Sequence, residues 1–250
     1  MLKRIITAVI GLPLVVLAVT LGGLFFLVPI IIISIIGLHE FYTAFNIKHT
    51  QIISHLYGTI FLLFAYLDPS RLFLGVAIFV VAINFLIVFL YNKISLKDII
   101  IILYGFFYIP FLLGFLILIR ESNFLFIWLV FISCFGCDTF AYFTGTLIGR
   151  RKLVNSPSPS KSIEGLIGGV IGATLLGLLF GLYFDMPIIA VITCFFGAIF
   201  SIIGDLSASA IKRHTGIKDF GSIFPGHGGV VDRLDSILMV APVVYIVTLI

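Results

Sequence analysis

The residues able to do chemistry are concentrated in one stretch, Ser209 to Asp235, which reads SAIKRHTGIKDFGSIFPGHGGVVDRLD. Just upstream, Asp205, Ser209 and Lys212 are spaced i, i+4 and i+7 and share one helical face. Downstream, Asp232, Asp235 and Ser236 share a face at i, i+3 and i+4. Two carboxylate-bearing helix ends joined by a loop rich in Lys, Arg, His and Gly can hold a hard cation and an anionic ligand together. Mg2+ suits that layout because it takes a few carboxylate oxygens and leaves positions for phosphate oxygens. Gly221, Gly226, Gly228 and Gly229, with Pro225 among them, suit a loop that approaches a ligand closely. Amides of such a turn can cradle phosphate. His227 could donate to a phosphate oxygen, although a loop histidine of this kind is more often simply solvated.

Three further segments carry polar groups. GRRKLVNSPSPSKSIEG, Gly149 to Gly165, offers Lys161 as an anion ligand, with Ser162 placed to start the next helix. For Arg150, Arg151 and Lys152, a role as anion ligands is balanced by the plainer one of satisfying topology and binding anionic lipid headgroups. DTFAYFTG places Asp138 and Tyr142 as i, i+4 neighbours, and Asp138 could complete a polar cavity, order a substrate or pair with a base. Glu40 lies near the end of an apolar run, where it can snorkel, and receives no role.

The elements that must position these groups are apolar. Hydrophobic residues make up 61% of the 250 and charged residues 10%, against roughly 25% charged in soluble domains. Mean hydropathy is +1.29. This excludes a disordered chain, a secreted disulfide scaffold and a nucleic-acid-binding domain, and the pI near 9.0 reports orientation rather than affinity for DNA. A crossing helix needs about 20 apolar residues, which predicts about nine spans: Ile5–Thr20, Leu24–Phe45, Ile52–Leu67, Leu72–Tyr91, Ile99–Ile119, Phe124–Ile148, Ile163–Phe184, Pro187–Ile211 and Val230–Ile250. Gly22-Gly23 is the weakest boundary, either a tight turn or a bend in one helix. The leading MLKR and apolar run exceed a signal-peptide core of about 7–15 residues and read as the first span.

With the N-terminus cytoplasmic, thirteen of the fifteen Lys and Arg fall inside and only Arg71 and Arg120 outside, as the positive-inside rule expects. The fold class is therefore an all-α polytopic membrane protein, read as a single integral membrane domain over residues 1–250 with the chemistry in its C-terminal half, from about residue 134. Asp205 lies about 12 Å of helix rise before Arg213, at roughly 1.5 Å per residue, and so within a span. An ionisable group there is a functional candidate by default, with pairing to a lysine or hydroxyl as the alternative. Cys134 and Cys137 form a C-x-x-C with no second pair for zinc, and with Cys194 they read as small packing residues.

These motifs resemble the phosphatidate cytidylyltransferase family, also called CDP-diacylglycerol synthase. The pattern S-x-x-K-R-x4-K-D-x-G-x5-H-G-G-x2-D-R-x-D is met by Ser209, Lys212, Arg213, Lys218, Asp219, Gly221, His227, Gly228, Gly229, Asp232, Arg233 and Asp235. PSPSKSIEG, DTFAYFTG and the GDL at Gly204 are similar to family motifs as well, so the resemblance covers about the C-terminal half. It implies transfer of CMP from CTP to phosphatidate at the cytoplasmic face of the inner (plasma) membrane, yielding CDP-diacylglycerol and pyrophosphate. Resemblance and spacing together make Asp205, Asp232 and Asp235 the Mg2+ ligands. Lys161, Lys212, Arg213, Lys218 and Arg233 become candidates for the CTP and lipid phosphates, with Ser209, Asp219, His227, Gly228, Gly229 and Asp138 in the substrate site. The family also implies a homodimer and a cavity open to phosphatidate in the cytoplasmic leaflet, and leaves room for a second, monovalent cation such as K+. A transporter using intramembrane carboxylates is the alternative from another class. The D-G-x2-A-R, N-D-x-x-D and P-loop patterns of other transferases are absent.

Overall fold

The computed structural model describes residues 2–47, 51–89, 95–153, 157–223 and 228–249. Among the described residues the regular structure is helical, with no strand. Nine longer helical stretches follow one another among the described residues: α1 (Leu2–Leu21), α2 (Leu24–Ala44), α3 (Gln51–Leu67), α4 (Leu72–Phe89), α5 (Leu96–Ser122), α6 (Leu125–Leu147), α7 (Ile163–Tyr183), α8 (Pro187–Thr215) and α9 (Val231–Thr248). Each coincides with an expected span to within about one helical turn. Five of them, α2 and α5 to α8, are long and apolar enough to cross a membrane, and Ile52–Leu67 and Pro69–Phe85 are shorter apolar stretches. Large apolar side chains such as Phe73, Tyr183 and Ile188 point outward, as a lipid-facing surface allows and a soluble one rarely does.

Three local features add to what apolar run length locates. Gly22 and Gly23 adopt φ of 65° and 53°, so the boundary is a tight turn rather than a bend. Arg120, one of the two basic residues expected on the sparse side, donates from Nε to the Val19 carbonyl at 2.7 Å and from Nη2 to the Thr20 carbonyl at 3.3 Å. It thereby satisfies the orphan carbonyls at the end of α1 and meets the negative end of that helix dipole. Two π-helical turns, Phe107–Phe111 and Ile132–Gly136, interrupt α5 and α6. Pro110 explains the first, since it lacks the N–H a regular turn would use. The second sits immediately before Cys137 and Asp138 and resets the face on which they emerge.

The chain divides into two compact units, residues 1–121 with 219–232 and residues 122–218 with 233–250. The first is cored by aromatic and branched side chains. Phe79 stacks on Phe106 at 3.8 Å, and Phe41 stacks on Tyr104 at 5.8 Å. Buried Tyr42 donates its hydroxyl to the Ile102 carbonyl at 3.1 Å, so its polar end is satisfied.

The second unit is built on close backbone approach. A Cβ on Gly169 of α7 would stand 2.8 Å from the Cys137 carbonyl oxygen and 3.0 Å from the Ala141 Cβ, and one on Gly177 would stand 2.6 Å from the Cys194 sulfur. The cysteines are buried and free, and they pack where small side chains let helices meet without a hydrophobic driving force between them. Gly169→Ala is therefore expected to lower stability by about 1–3 kcal/mol through overpacking. Gly11→Ala, where nothing among the described residues beyond its own helix backbone lies within 4 Å of the added Cβ, should be neutral or slightly stabilising. Thermal unfolding of the two variants in detergent measures the difference.

Candidate active site

In the second unit, the segment between α6 and α7 folds back on itself. Leu153 N donates to the Lys161 carbonyl at 3.0 Å, and Ile163 N donates to the Arg151 carbonyl at 2.9 Å. Glu164, in the first turn of α7, accepts from the amides of Arg150 and Arg151, each at 3.1 Å to Oε2. Ser162 caps the same helix by accepting from Gly165 N at 3.2 Å. The hairpin delivers Lys161 to α8, where its ammonium pairs with Asp205 Oδ2. Both side chains are about a quarter exposed, at 26% and 29%, so the pair is neither dry nor fully screened.

Asp235 joins this group from α9 and is 9% exposed. Its Oδ1 accepts from Ser236 N at 2.8 Å, while Ser236 Oγ donates to the Ser201 carbonyl of α8 at 3.1 Å. A Cβ on Gly204 would stand 3.0 Å from Ser236 Cα, so the glycine before Asp205 is what lets α8 and α9 meet here. Asp138 on α6 interacts electrostatically with Asp205, Lys161 and Arg233, and Asp235 with Asp205, Lys212 and Asp138. Three mutually repelling carboxylates on three helices thus share a neighbourhood with Lys161, Lys212 and Arg233. Among the described residues no three His, Cys, Asp or Glu side chains form a ready-made metal cluster. Oxygen donors fit a hard cation in kind, and Mg2+ ordinarily takes one or two protein carboxylates and completes its shell with phosphate oxygens and water.

In the first unit, Asp232 lies in the opening turn of α9. Its Oδ2 accepts from Phe220 N at 2.8 Å and from Gly229 N at 3.0 Å, tying both described ends of the glycine-rich loop to one carboxylate. Gly228 has φ of 84°, a left-handed conformation that glycine adopts without strain. Glu40 of α2 is 5% exposed, and its Oε2 accepts from Val231 N at 3.0 Å. The snorkelling expected of Glu40 is thus wrong: the side chain turns inward because a backbone amide at the start of α9 needs an acceptor there.

The second unit therefore brings together Asp138, Lys161, Asp205, Lys212, Arg233 and Asp235. Ser209 is half-buried on α8 and Arg213 is exposed near its end. That helix runs to Thr215, so Lys212 and Arg213 are helical rather than in the loop, and Gly216 at φ 73° ends it. Lys218 is exposed in the second unit, and Asp219, exposed, Gly228, Gly229 and Asp232 belong to the first. His227 lies outside the described residues. Sequence reasoning missed Glu40 and Glu164. The signal for Glu40 was its position in an apolar span, where an inward carboxylate is as available as a snorkelling one.

The cytidylyltransferase family model matches residues 2–250. The chain belongs to the cytidylyltransferase family. Three relatives are each named phosphatidate cytidylyltransferase. The protein of Thermotoga maritima is 35% identical over 208 residues, covering 79% of this chain and 69% of its own length. That of Bacillus subtilis is 39% identical over 123 residues, covering 46% of this chain and 45% of its own. That of Pseudomonas aeruginosa is 49% identical over 118 residues, covering 46% and 44%. The chain thus matches over two thirds of the first relative and under half the length of the other two.

In this member of the family, the Lys161–Asp205 pair should behave as a coupled unit. Lys161→Met and Asp205→Asn are each expected to cost about 1–2 kcal/mol of stability, and the double variant clearly less than their sum. Thermal unfolding of the four proteins in detergent completes the cycle, and strictly additive losses would show that the two side chains act independently.

Proposed function

We propose that the protein transfers CMP from CTP to phosphatidate, forming CDP-diacylglycerol and releasing pyrophosphate. The observation that carries the reading is the grouping of Asp138, Asp205 and Asp235 with Lys161, Lys212 and Arg233, in a chain of the cytidylyltransferase family. A phosphate oxygen of phosphatidate attacks the α-phosphorus of CTP, a new P–O bond forms, and the bond to the β-phosphate breaks as pyrophosphate leaves. Phosphatidate already presents an anionic nucleophile, so no strong base is required. The protein has to align the two phosphates and offset charge that grows on the departing group.

Lys161, Lys212 and Arg233 supply that positive charge, with Arg213 and Lys218 assigned to the same phosphates. Mg2+, with Asp205, Asp232 and Asp235 as the ligands the family resemblance implies, would neutralise phosphoryl oxygens. The amides of the Gly228–Gly229 turn, with His227, are assigned to phosphate contact, and Asp232 also holds that turn in shape. Ser209 and Asp219 belong to the substrate site in the same reading. The membrane is the cell's inner (plasma) membrane with the N-terminus and the site cytoplasmic, phosphatidate comes from the cytoplasmic leaflet, and the protein works as a homodimer. A monovalent cation such as K+ is a further candidate partner.

Purified protein in detergent, supplied with CTP, phosphatidate and Mg2+, should form CDP-lipid and pyrophosphate in equal amounts. No product above a protein-free blank, where a known enzyme is active, would sink the proposal. Asp232→Asn keeps the shape and one acceptor oxygen but removes the charge. It is expected to lose at least about 100-fold in turnover while folding normally, and wild-type activity in that variant would remove Asp232 from the chemistry.

A further inference from the structure

We infer that Glu40 is a positioning residue for the glycine-rich loop: its buried carboxylate fixes the backbone at the start of α9 so that the Gly228–Gly229 turn is presented in one conformation. The inference rests on the function proposed above and extends its site to α2, which no family motif in the sequence covers.

Gly37, Glu40 and Phe41 lie at i, i+3 and i+4 on α2 and form one face. All three meet the segment around the loop. Phe41 stacks on Phe220, with centroids 6.3 Å apart and planes at 25°, and so touches the entering end. Glu40 Oε2 receives Val231 N at 3.0 Å and so holds the leaving end. A Cβ on Gly37 would lie 3.6 Å from Val231 Cγ2.

The loop glycines are shaped around the same carboxylate. A Cβ on Gly229 would stand 2.6 Å from both Cδ and Oε1 of Glu40, and one on Gly221 would stand 2.6 Å from Cδ. Glycine at these two positions of the motif is therefore explained by the acid that occupies the space. Glu40 Oε1 is buried and without a hydrogen-bond partner among the described residues. A carboxylate costs far more to bury than a leucine of similar size, and what leucine lacks is an acceptor for the Val231 amide. The cost is met because, with Asp232 holding Phe220 N and Gly229 N, three amides of the loop and the helix start are fixed by two side chains.

The test uses the full chain in detergent with Glu40→Leu and Glu40→Gln. Glu40→Leu preserves bulk but removes the acceptor, and it should speed amide exchange in residues 219–223 and 228–231 by about tenfold or more. Exchange in residues 122–218 should stay unchanged, and kcat should fall about tenfold or more with folded protein. Glu40→Gln keeps an acceptor oxygen and should retain kcat within about fivefold, with near wild-type exchange. Should Glu40→Leu not fold, Gly229→Ala in the presence of Glu40 displaces the same turn and should give the same local exchange signature. Wild-type loop exchange in Glu40→Leu or Gly229→Ala, acceleration spread over the whole chain, or equal failure of the Gln and Leu variants would overturn the inference. Exchange is read without substrate, so an inactive wild-type protein would refute the proposed reaction while leaving this result standing.

Discussion

Backbone amides that leave water need acceptors, and at the start of α9 the acceptors are carboxylates. Phe220 N and Gly229 N donate to Asp232, and Val231 N donates to Glu40. Unmet, each of those amides would cost about 1–3 kcal/mol. Met by ionisable groups, they tie the described ends of a glycine-rich segment to two helices. The arrangement also sets the glycine pattern, since side chains at Gly221 and Gly229 would collide with Glu40. Much of the polar motif is thus the geometry of two acids serving one backbone.

The remaining carboxylates do a different job. Asp138, Asp205 and Asp235 come from α6, α8 and α9, and they accept few backbone amides; they are set against Lys161, Lys212 and Arg233 instead. Close helix packing makes that possible. Gly204 brings α8 against α9, and Gly165 and Gly169 bring α7 against α6. The hairpin before α7, held by Glu164, then delivers Lys161 to Asp205. Charge is scarce in this chain, and thirteen of its twenty-six charged residues lie in Arg150–Glu164 and Asp205–Asp235. Opposed charges there can be strong because little else screens them.

The helices were legible because 3.6-residue periodicity matters little when every face is apolar; run length alone locates a span. The ends were harder. α8 extends through Lys212 and Arg213 because helix propensity continues past the apolar run until Gly216 takes a left-handed conformation. The π turn at Ile132–Gly136 left no mark in the sequence, since no proline forces it. In the site, Asp138, Asp205, Asp235, Lys161 and Lys212 could be chosen from charge within or beside spans. Glu40 could not, because helix position does not say whether an acid near a span end faces solvent or a neighbouring backbone. Only the packing of α2 on Phe220 and Val231 decides that.

Glu40 holds backbone, whereas Asp235 is proposed to hold magnesium. The half-saturating Mg2+ concentration for CDP-lipid formation tests that division most directly. Asp235→Asn should raise it about tenfold or more, whereas Glu40→Gln should leave it within about twofold even if turnover falls. Equal shifts in the two variants, or a shift only in Glu40→Gln, would contradict the account.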